Sequence, residues 1–331
     1  MLSRRSLLAG ATTTALAVPA RADETGTVTV AFANLSEDPS VRLEGTGFTG
    51  AEVRESFSLA ARRRSIDLVF YDNALDRTKA LANTQDAIRR RVDVYIHYGW
   101  DNAVNTEIGR LLAAAKIPVL AIGRPVPGAP LYTADNAAAG RIAGEALARH
   151  AAENWHDRAT DVVIIGPPTD AMNRMDERIA GITAGVAQVT GTTVRIDTGG
   201  NPLKADALLR SFLASHPNRK ALVAALDDAT ALAAKSAIEG SLRHADAVIA
   251  SHGCDRSVHG NTSDKRELDP VNRGSLLLGS VGYFLDRYGY DALPLATELA
   301  TGRPIAPRTA TQHRLVTPAN AFVIYPPIDM N

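Results

Sequence analysis

The chain has only one cysteine, Cys254, so it cannot form a disulfide within itself. Its 36 Lys and Arg residues are balanced by 36 Asp and Glu residues, so its net charge gives no attraction to nucleic acid or to an anionic membrane. The sequence also lacks low-complexity segments and long runs of charge. The fold must therefore be held by core packing, for which a hydrophobic content of 45% is sufficient.

No hydrophobic run is long enough to span a bilayer, which takes about 20 apolar residues. An apolar run at residues 7–20 follows Arg4 and Arg5 and ends at the small residues Ala20 and Ala22. This pattern predicts a signal peptide over residues 1–22, and the paired arginines resemble a twin-arginine signal. We therefore expect an exported, periplasmic protein. The alternative is a frayed amino terminus with two chance arginines.

Apolar runs of strand length alternate with amphipathic helical segments along nearly the whole remaining chain. Val104, Ile108, Leu111 and Ala115, for example, repeat with the spacing of one buried helix face. The predicted strands lie at 28–33, 66–71, 92–96, 117–122, 131–134, 162–165, 194–196, 221–226, 247–250 and 276–278. The predicted helices lie at 51–64, 80–88, 104–115, 137–152, 172–189, 203–215, 229–239 and 285–300.

This alternation predicts an α/β fold. Near-continuous apolar strands between helices are typical of parallel sheets that are covered by helices on both faces. About ten strands would overload one open sheet, so we expect two sheets of five or six strands each. Ligands of such sheets bind beyond the carboxyl ends of the strands, and candidate contacts should therefore follow each strand directly.

Hydrogen-bonding side chains and a few aromatic residues follow the predicted strands, without a concentration of one charge. The residues predicted to bind ligand are Asn34, His97, Trp100, Arg124, Arg178, Asp227, Asp255 and Tyr283. Their neighbours at the strand ends are Tyr98, Asn173, Arg174, Asp228 and Phe284. Carboxylates and arginines bind paired hydroxyls, and an aromatic face covers the apolar side of a ring, so the set indicates a polyhydroxylated ligand. The alternative for each aspartate is that it only caps a helix.

Several segments resemble the periplasmic sugar-binding proteins of the ribose and galactose type. The most specific is Ile117-Pro118-Val119-Leu120, followed by Arg124, by Asp135-Asn136 and by two glycines, Gly140 and Gly144. Arg178-Ile179-Ala180-Gly181 is similar to the family's R-x-x-G. Asp227-Asp228-Ala229-Thr230-Ala231-Leu232 is similar to its ND-x-x-AL turn, and Asp255 and Gly282-Tyr283-Phe284 match later strand ends. The likeness runs from residue 28 to about residue 325.

The resemblance implies two lobes of the type 1 periplasmic binding protein architecture, joined by three hinge crossings near residues 135, 283 and 313. The N-terminal lobe would comprise 25–134 plus 284–312, and the C-terminal lobe 135–283 plus 313–331. It implies a monomeric, non-enzymatic receptor that needs no cofactor. The receptor would capture a small sugar or sugar derivative and deliver it to the membrane permease of an ABC importer.

The resemblance also assigns roles to the site residues. Arg178 would donate a fork of hydrogen bonds to the sugar, so that Arg178→Ala weakens binding about 10- to 100-fold without changing the melting temperature of the empty protein. Three features depart from the family. Gly123 stands before Arg124 where the family often has an aspartate, Asp227 replaces an asparagine, and the loop at 35–50 is longer than usual. These departures predict a ligand whose hydroxyl pattern differs from that of ribose.

A second hypothesis comes from Gly45, Gly47 and Gly50, which form a G-x-G-x-x-G, with Asp72 at the end of the second predicted strand. This outline is typical of a nicotinamide-binding Rossmann domain and would make the chain an exported sugar oxidoreductase. Two observations count against it. The residues at 35–44 separate the first strand from the glycines, where the phosphate site needs a direct connection. Such an enzyme also needs a large antiparallel sheet in its second half, whereas the second half of this chain keeps alternating strand with helix.

A metal site is a weaker hypothesis still. His252, Cys254, Asp255 and His259 lie close together in the sequence, but their spacing matches no common zinc pattern. A loop after a strand explains them better, and we expect no metal. The chain also lacks a G-x-S-x-G nucleophile elbow and a G-x-x-x-x-G-K-[ST] phosphate loop.

Overall fold

The structure is a computed structural model that describes residues 26–62, 64–155, 160–169, 173–260, 266–272 and 274–326. The predicted signal peptide at 1–22 lies outside these residues. Among the helices that the structure describes, none has both the length and the apolar character that crossing a membrane requires.

The first sheet consists of six strands, β1 (Val28–Asn34), β2 (Ile66–Asp72), β3 (Val94–Tyr98), β4 (Val119–Ile122), β5 (Leu131–Thr133) and β11 (Arg308–Ala310). They are all paired in parallel, in the order β11-β5-β4-β3-β1-β2. The helices around it are α1 (Gly50–Ala61), α2 (Arg77–Arg90), α3 (Asn102–Ala114) and α8 (Tyr288–Ala300).

Alternating side chains of β1 bury both faces of this sheet, as the two-residue period of a strand requires. Phe32 lies on one face and stacks on Phe57 of α1 with the ring centroids 4.0 Å apart. Ala31 and Ala33 lie on the other face, in a cluster with Ala80 and Ile108 from α2 and α3. A strand buried on both faces reads as a continuous apolar run, and this is how β1 was recognisable in the sequence.

The second sheet also consists of six strands, β6 (Thr160–Gly166), β7 (Thr193–Asp197), β8 (Lys220–Ala225), β9 (Ala247–Gly253), β10 (Leu277–Gly282) and β12 (Arg314–Val316). Their order is β12-β10-β9-β8-β6-β7. All are paired in parallel except the edge strand β12, which runs antiparallel to β10. The remaining α-helices are α4 (Asn136–Asn154), α5 (Met175–Gly185), α6 (Lys204–Ser215), α7 (Asp228–Gly240) and α9 (Ala321–Ile324).

The predicted α/β fold with two parallel, helix-flanked sheets is confirmed, and each predicted strand is present. Two three-residue edge strands, β11 and β12, were not predicted, because three residues are too few to show a strand pattern in the sequence. The predicted helix at 285–300 is divided into a 3₁₀ turn at Leu285–Arg287 and the helix α8. The predicted helix at 172–189 is shorter and comprises α5 alone in the described residues.

The chain passes from the first sheet to the second after β5, returns after β10, and leaves again after β11. His313 connects these three places. Its Nε2 accepts a hydrogen bond from the backbone N–H of Asp135 at 3.0 Å, so its Nδ1 carries the proton and donates to the carbonyl of Gly282 at 2.9 Å. One neutral imidazole therefore ties all three connections together. The exact lobe limits and the hinge function of these connections stay predictions.

Helices α4 and α5 pack backbone against backbone. A Cβ atom on Gly140 of α4 would lie 2.1 Å from the carbonyl oxygen of Arg178, and one on Gly181 of α5 would lie 2.1 Å from that of Ala137. Neither position has room for a side chain. Because α4 starts directly after the first passage between the sheets, this contact fixes α5, and with it Arg178, relative to that passage.

Candidate functional site

A loop from the first lobe enters the space between the carboxyl ends of the two sheets. We call residues 35–49 the cleft loop. Asn34 anchors it: its side chain donates to the carbonyl of Gly50 at 2.8 Å and accepts from the N–H of Leu35 at 3.0 Å. Within the loop, the N–H of Leu43 donates to the carbonyl of Phe48, and both side chains are buried. The segment 43–48 is thus a closed, packed turn.

Arg178, on the first turns of α5, receives the tip of this loop. Its side chain is completely buried. Nη2 donates to the carbonyl of Glu44 at 2.8 Å, and Nη1 donates to that of Gly45 at 3.0 Å. The other N–H groups donate to the Leu226 carbonyl and to Oδ1 of Asn136. All five donors of the guanidinium are therefore used, two of them across the cleft.

The carboxylate of Glu44 lies deeper in the same place. Its Oε1 accepts from the hydroxyl of Tyr98 at 2.9 Å. Burial raises the pKa of Glu44 above its ordinary value, while the Tyr98 hydrogen bond and the charges of nearby arginines act in the opposite direction. Those arginines are Arg124, Arg174 and Arg178. Glu44 is thus an acidic side chain of the first lobe held among guanidinium groups from both lobes.

A small cavity of about 20 Å³ remains beside Glu44. It is lined by Leu35, Arg42, Leu43, Glu44, Tyr98, Gly99, Gly123, Arg124, Asn173 and Arg174. Arg174 is held by the carboxylate of Glu177 and by the hydroxyl of Thr133. Arg124 differs, because its Nε is buried without a hydrogen-bond partner in the described part of the chain. One residue of the lining, Arg124, thus has an unused donor, and the cavity is large enough for about one water molecule.

The aspartates that follow β8 and β9 have different roles: one caps a helix, and the other faces the cleft loop. Asp227 accepts from both the N–H and the hydroxyl of Thr230, so it caps α7 as the alternative interpretation held. Burial raises its pKa. Asp255 uses Oδ1 to accept from the N–H of Ser257, while its Oδ2 faces the cleft loop, 1.9 Å from where a Cβ on Gly47 would lie.

Asp228 is fully buried and organises the loop behind these residues. Its Oδ1 accepts from the hydroxyls of Ser251 and Ser280, and its Oδ2 accepts from the N–H of Asp255. Burial raises its pKa well above the ordinary value, and the neighbouring Asp255 charge adds to the effect. Asp228 thereby positions the backbone that carries Asp255.

The predicted aromatic and histidine contacts lie behind the cleft. His97 is fully buried at the end of β3, with its Nε2 3.0 Å from Oδ1 of Asn105. Trp100 packs on it with the ring centroids 6.1 Å apart. Tyr283 is also buried, and its ring lies 4.6 Å from the guanidinium carbon of Arg178. Its ring face is therefore occupied by the arginine. Direct ligand contact by these three residues stays a prediction.

The structure thus brings Arg124, Arg178 and Asp255 together around the cleft loop, with Asn34 at its base. Sequence reasoning missed Glu44, because a loop without periodicity gives no sign of which side chain points inward. It also left Tyr98 outside the predicted set, although Tyr98 ends β3 and its position satisfied the strand-end rule. Asn136, which accepts from both Arg178 and Tyr283, was part of the recognised Asp-Asn pair.

The residues of the metal hypothesis serve other purposes. Nδ1 of His252 lies 2.9 Å from the Ala225 carbonyl, and His259 stacks on the ring of Tyr325. Cys254 is buried. Within the described residues, no group of three or more His, Cys, Asp or Glu side chains is arranged to hold a metal ion.

The nicotinamide hypothesis is not supported. It required a large antiparallel sheet in the second half, whereas the second sheet is parallel apart from β12. Gly45 and Gly47 lie in the cleft loop against Met175 and Asp255 of the other lobe, where a Cβ would collide with either side chain. These glycines allow a turn to enter the cleft and do not open a phosphate-binding helix.

A larger open depression of about 700 Å³ lies elsewhere, along the segments that follow the passages between the lobes. It is lined by residues such as Tyr132, Arg287, Asp291, Thr311 and Ile324. It contains none of the predicted site residues. Its size reflects its openness to solvent, so the cleft between the sheets remains the better candidate for a specific site.

The fold is shared with solved solute-binding proteins. One is an ABC transporter periplasmic solute binding protein from Actinobacillus succinogenes with bound D-allose, with a TM-score of 0.67 and 13% identity over 89% of this chain and 99% of that chain. Another is an ABC transporter solute binding protein from Bacillus halodurans with bound myo-inositol, with a TM-score of 0.65 and 18% identity over 91% and 98%.

A third is a protein from Mycobacterium smegmatis in complex with β-D-fucofuranose, with a TM-score of 0.61 and 20% identity over 90% of this chain and 94% of that chain. A sequence comparison with curated proteins gives no match. The family described as periplasmic binding protein domain matches residues 44–304, which include most strands of both sheets and the tip of the cleft loop. The chain therefore belongs to the periplasmic binding protein family.

Proposed function

We propose that this protein is a periplasmic receptor that captures a small sugar or sugar derivative between its lobes and delivers it to the permease of an ABC importer. The observation that supports this most directly is the geometry at Arg178. Its guanidinium, held from the second lobe, already donates to two carbonyl oxygens that the first lobe presents across the cleft. Ligand hydroxyls can take the same two donors, since a planar fork suits paired oxygens.

The ligands in the solved neighbours support the same class. Allose, myo-inositol and fucofuranose are small cyclic molecules that carry several hydroxyls. A cleft with arginines, carboxylates and an asparagine provides donors and acceptors for such a molecule. Binding requires contacts from both lobes at once, so lobe closure accompanies capture. An affinity near micromolar corresponds to about −8 kcal/mol.

The function is tested by a thermal-shift screen of the mature protein, residues 23–331, against monosaccharides, disaccharides, polyols, sugar acids and nucleosides, followed by calorimetric titration of each hit. We expect one chemical class to raise the melting temperature and to bind with one site per chain. Recovery of the ligand unchanged after long incubation would agree with a receptor without turnover. Failure of all sugar-like compounds to bind would refute the proposal, as would an absorbance band from a bound nicotinamide.

The export route and the assembly state belong to the same proposal. We propose that residues 1–22 direct export by the twin-arginine route, and that the mature protein acts as a monomer with lobes at 25–134 plus 284–312 and at 135–283 plus 313–331. Replacing both Arg4 and Arg5 by lysine should trap the precursor in the cytoplasm. Continued export of that variant would favour the general route. Small-angle scattering should show a monomer that becomes more compact when ligand is added.

A further inference from the structure

The cleft loop occupies the place where a captured ligand must sit. The cavity that remains is about 20 Å³, whereas pockets for small molecules measure about 300–1,000 Å³. A sugar and the tip of the loop cannot both fit beside Arg178 in this arrangement. Binding therefore requires that segment 43–48 withdraws from the cleft.

The tip of the loop is closely seated on the second lobe. A Cβ atom on Gly45 would lie 2.1 Å from Cε of Met175, and one on Gly47 would lie 1.9 Å from Oδ2 of Asp255. The loop is thus shaped to the surface that it covers, and its two cross-cleft hydrogen bonds hold it there. It is an internal occupant of the site.

Withdrawal of the loop takes two hydrogen-bond acceptors and one negative charge away from the arginines. Arg178 loses the carbonyl acceptors of Glu44 and Gly45, and the arginines around the cleft lose the nearby carboxylate of Glu44. Neither Arg178 nor Arg124 forms an ion pair within the described residues. Arg178 keeps its bonds to the Leu226 carbonyl and to Asn136, but two of its N–H groups lose their acceptors. Guanidinium N–H groups without acceptors in a partly buried site are unfavourable, so the incoming ligand must supply new acceptors and a counter-charge.

We propose that the cleft loop imitates the ligand, and that the ligand is an anionic sugar whose carboxylate takes the place of the Glu44 side chain beside Arg124. The ligand hydroxyls then replace the two carbonyls on Arg178. This inference rests on the proposed sugar-binding function and narrows it to aldonates and uronates. It also gives the unpartnered Nε of Arg124 an acceptor, because a carboxylate accepts two parallel hydrogen bonds from an arginine.

The test is calorimetric titration of matched pairs that differ only in the acid, such as galacturonate against galactose, glucuronate against glucose, and gluconate against glucitol. We expect at least one acid to bind 10-fold or more tightly than its neutral partner. Neutral sugars that bind as tightly as their acids, or more tightly, would overturn this inference and leave the sugar receptor intact. A lack of binding by acids and neutral sugars alike would overturn both.

Variants separate imitation from direct contact. Glu44→Ala removes the competing carboxylate, so it should tighten binding of the acid about 3-fold or more; weaker binding would show that Glu44 contacts the ligand itself and would overturn the inference. Arg124→Met should weaken binding of the acid at least 10-fold and binding of the neutral partner less than 3-fold; equal losses for the two would also overturn it. Thermal unfolding of each variant establishes that it is folded.

Glu37→Ala is the matched control for Glu44→Ala. Glu37 belongs to the same loop and carries the same charge, but it pairs with Arg54 on α1 at 2.9 Å and lies outside the cavity lining. Its replacement should change affinity less than 2-fold. An equal gain in affinity from both glutamate variants would mean that loop charge in general opposes the acid, and the specific imitation by Glu44 would be refuted.

Discussion

Replacing Arg178 by methionine should destabilise the empty protein, because the arginine is bonded within the protein before any ligand arrives. Methionine matches its length but has no donor. The Leu226 carbonyl and Oδ1 of Asn136, both inside the second lobe, would lose their guanidinium partner. The Leu226 carbonyl would be a buried acceptor without its partner, which costs about 1–3 kcal/mol. Oδ1 of Asn136 keeps the hydroxyl of Tyr283 and loses only its bonds to the charged guanidinium, which are worth about 1.5–3 kcal/mol, so the total should be about 2.5–6 kcal/mol. The loop carbonyls of Glu44 and Gly45 can regain water and add little.

The assay is thermal and urea-induced unfolding of the ligand-free mature protein. The loss corresponds to a melting temperature about 5–12 °C lower, since large domains shift by about 2 °C or more per kcal/mol. Arg178→Lys should lose about half as much, because the ammonium keeps the charge but cannot reproduce the planar fork. From the sequence alone, loss of the Arg178 side chain is predicted to leave the melting temperature of the empty protein unchanged. The hydrogen bonds from Arg178 to the protein's own acceptors predict a lower one instead.

Arg110→Ala provides the matched control for this series. Arg110 is an exposed arginine on α3 that pairs with Glu107 on its own helix. Exposed pairs of this kind contribute about 0–1 kcal/mol, so the control should unfold almost as the parent does. If Arg178→Met were as stable as Arg110→Ala, the acceptors around Arg178 would have to be solvated in the empty protein. The reasoning from a closed, self-occupied cleft would then be refuted.

Three further predictions concern the elements around the site. Burial lowers the pKa of His97 to about 4, so the stability that depends on its neutral form is fully present above about pH 6.5 and is lost as the pH falls towards 4; the loss amounts to about 3 kcal/mol. In His97→Gln, the free energy of unfolding should therefore depend less on pH between about 4 and 6.5 than in the parent. An unchanged pH dependence would contradict this. Gly140→Ala should push α5 away from α4 and cost about 1–3 kcal/mol, with weaker ligand binding, and a parental melting temperature would count against the close contact. His313→Ala removes both hydrogen bonds that join the three passages, so small-angle scattering of the empty variant should show a larger radius of gyration than the parent, and an equal radius would refute that role.

The sequence allowed the sheets to be predicted because their strands are buried on both faces and read as continuous apolar runs. It also placed Arg178 and Asp255 at the cleft, since the carboxyl ends of parallel strands meet at one edge. What it could not supply depends on long-range packing. The inward direction of Glu44 is set by a turn closed between Leu43 and Phe48, and by an arginine more than a hundred residues away in the chain.

Aspartates illustrate a second limit of the sequence. Asp227 and Asp255 follow neighbouring strands and look equivalent in the sequence. Asp227 nevertheless caps a helix, whereas Asp255 faces the cleft loop. A carboxylate satisfies an N-terminal N–H or a ligand hydroxyl equally well. Which of the two it meets is decided by where the neighbouring backbone lies, and this becomes visible only in the folded molecule.

The side-chain-free contact between Gly140 and Gly181 has a consequence for how such receptors diversify. Substitutions in the second lobe's half of the site are restricted, because any atom added at this contact moves a whole helix. The cleft loop meets the second lobe through side chains, Met175 and Asp255, which can change rotamer more easily than a helix can move, and loops accept insertions and substitutions readily. New specificities should therefore evolve mainly by exchange of this one segment. The same property makes residues 35–49 a natural grafting point for building biosensors on this scaffold.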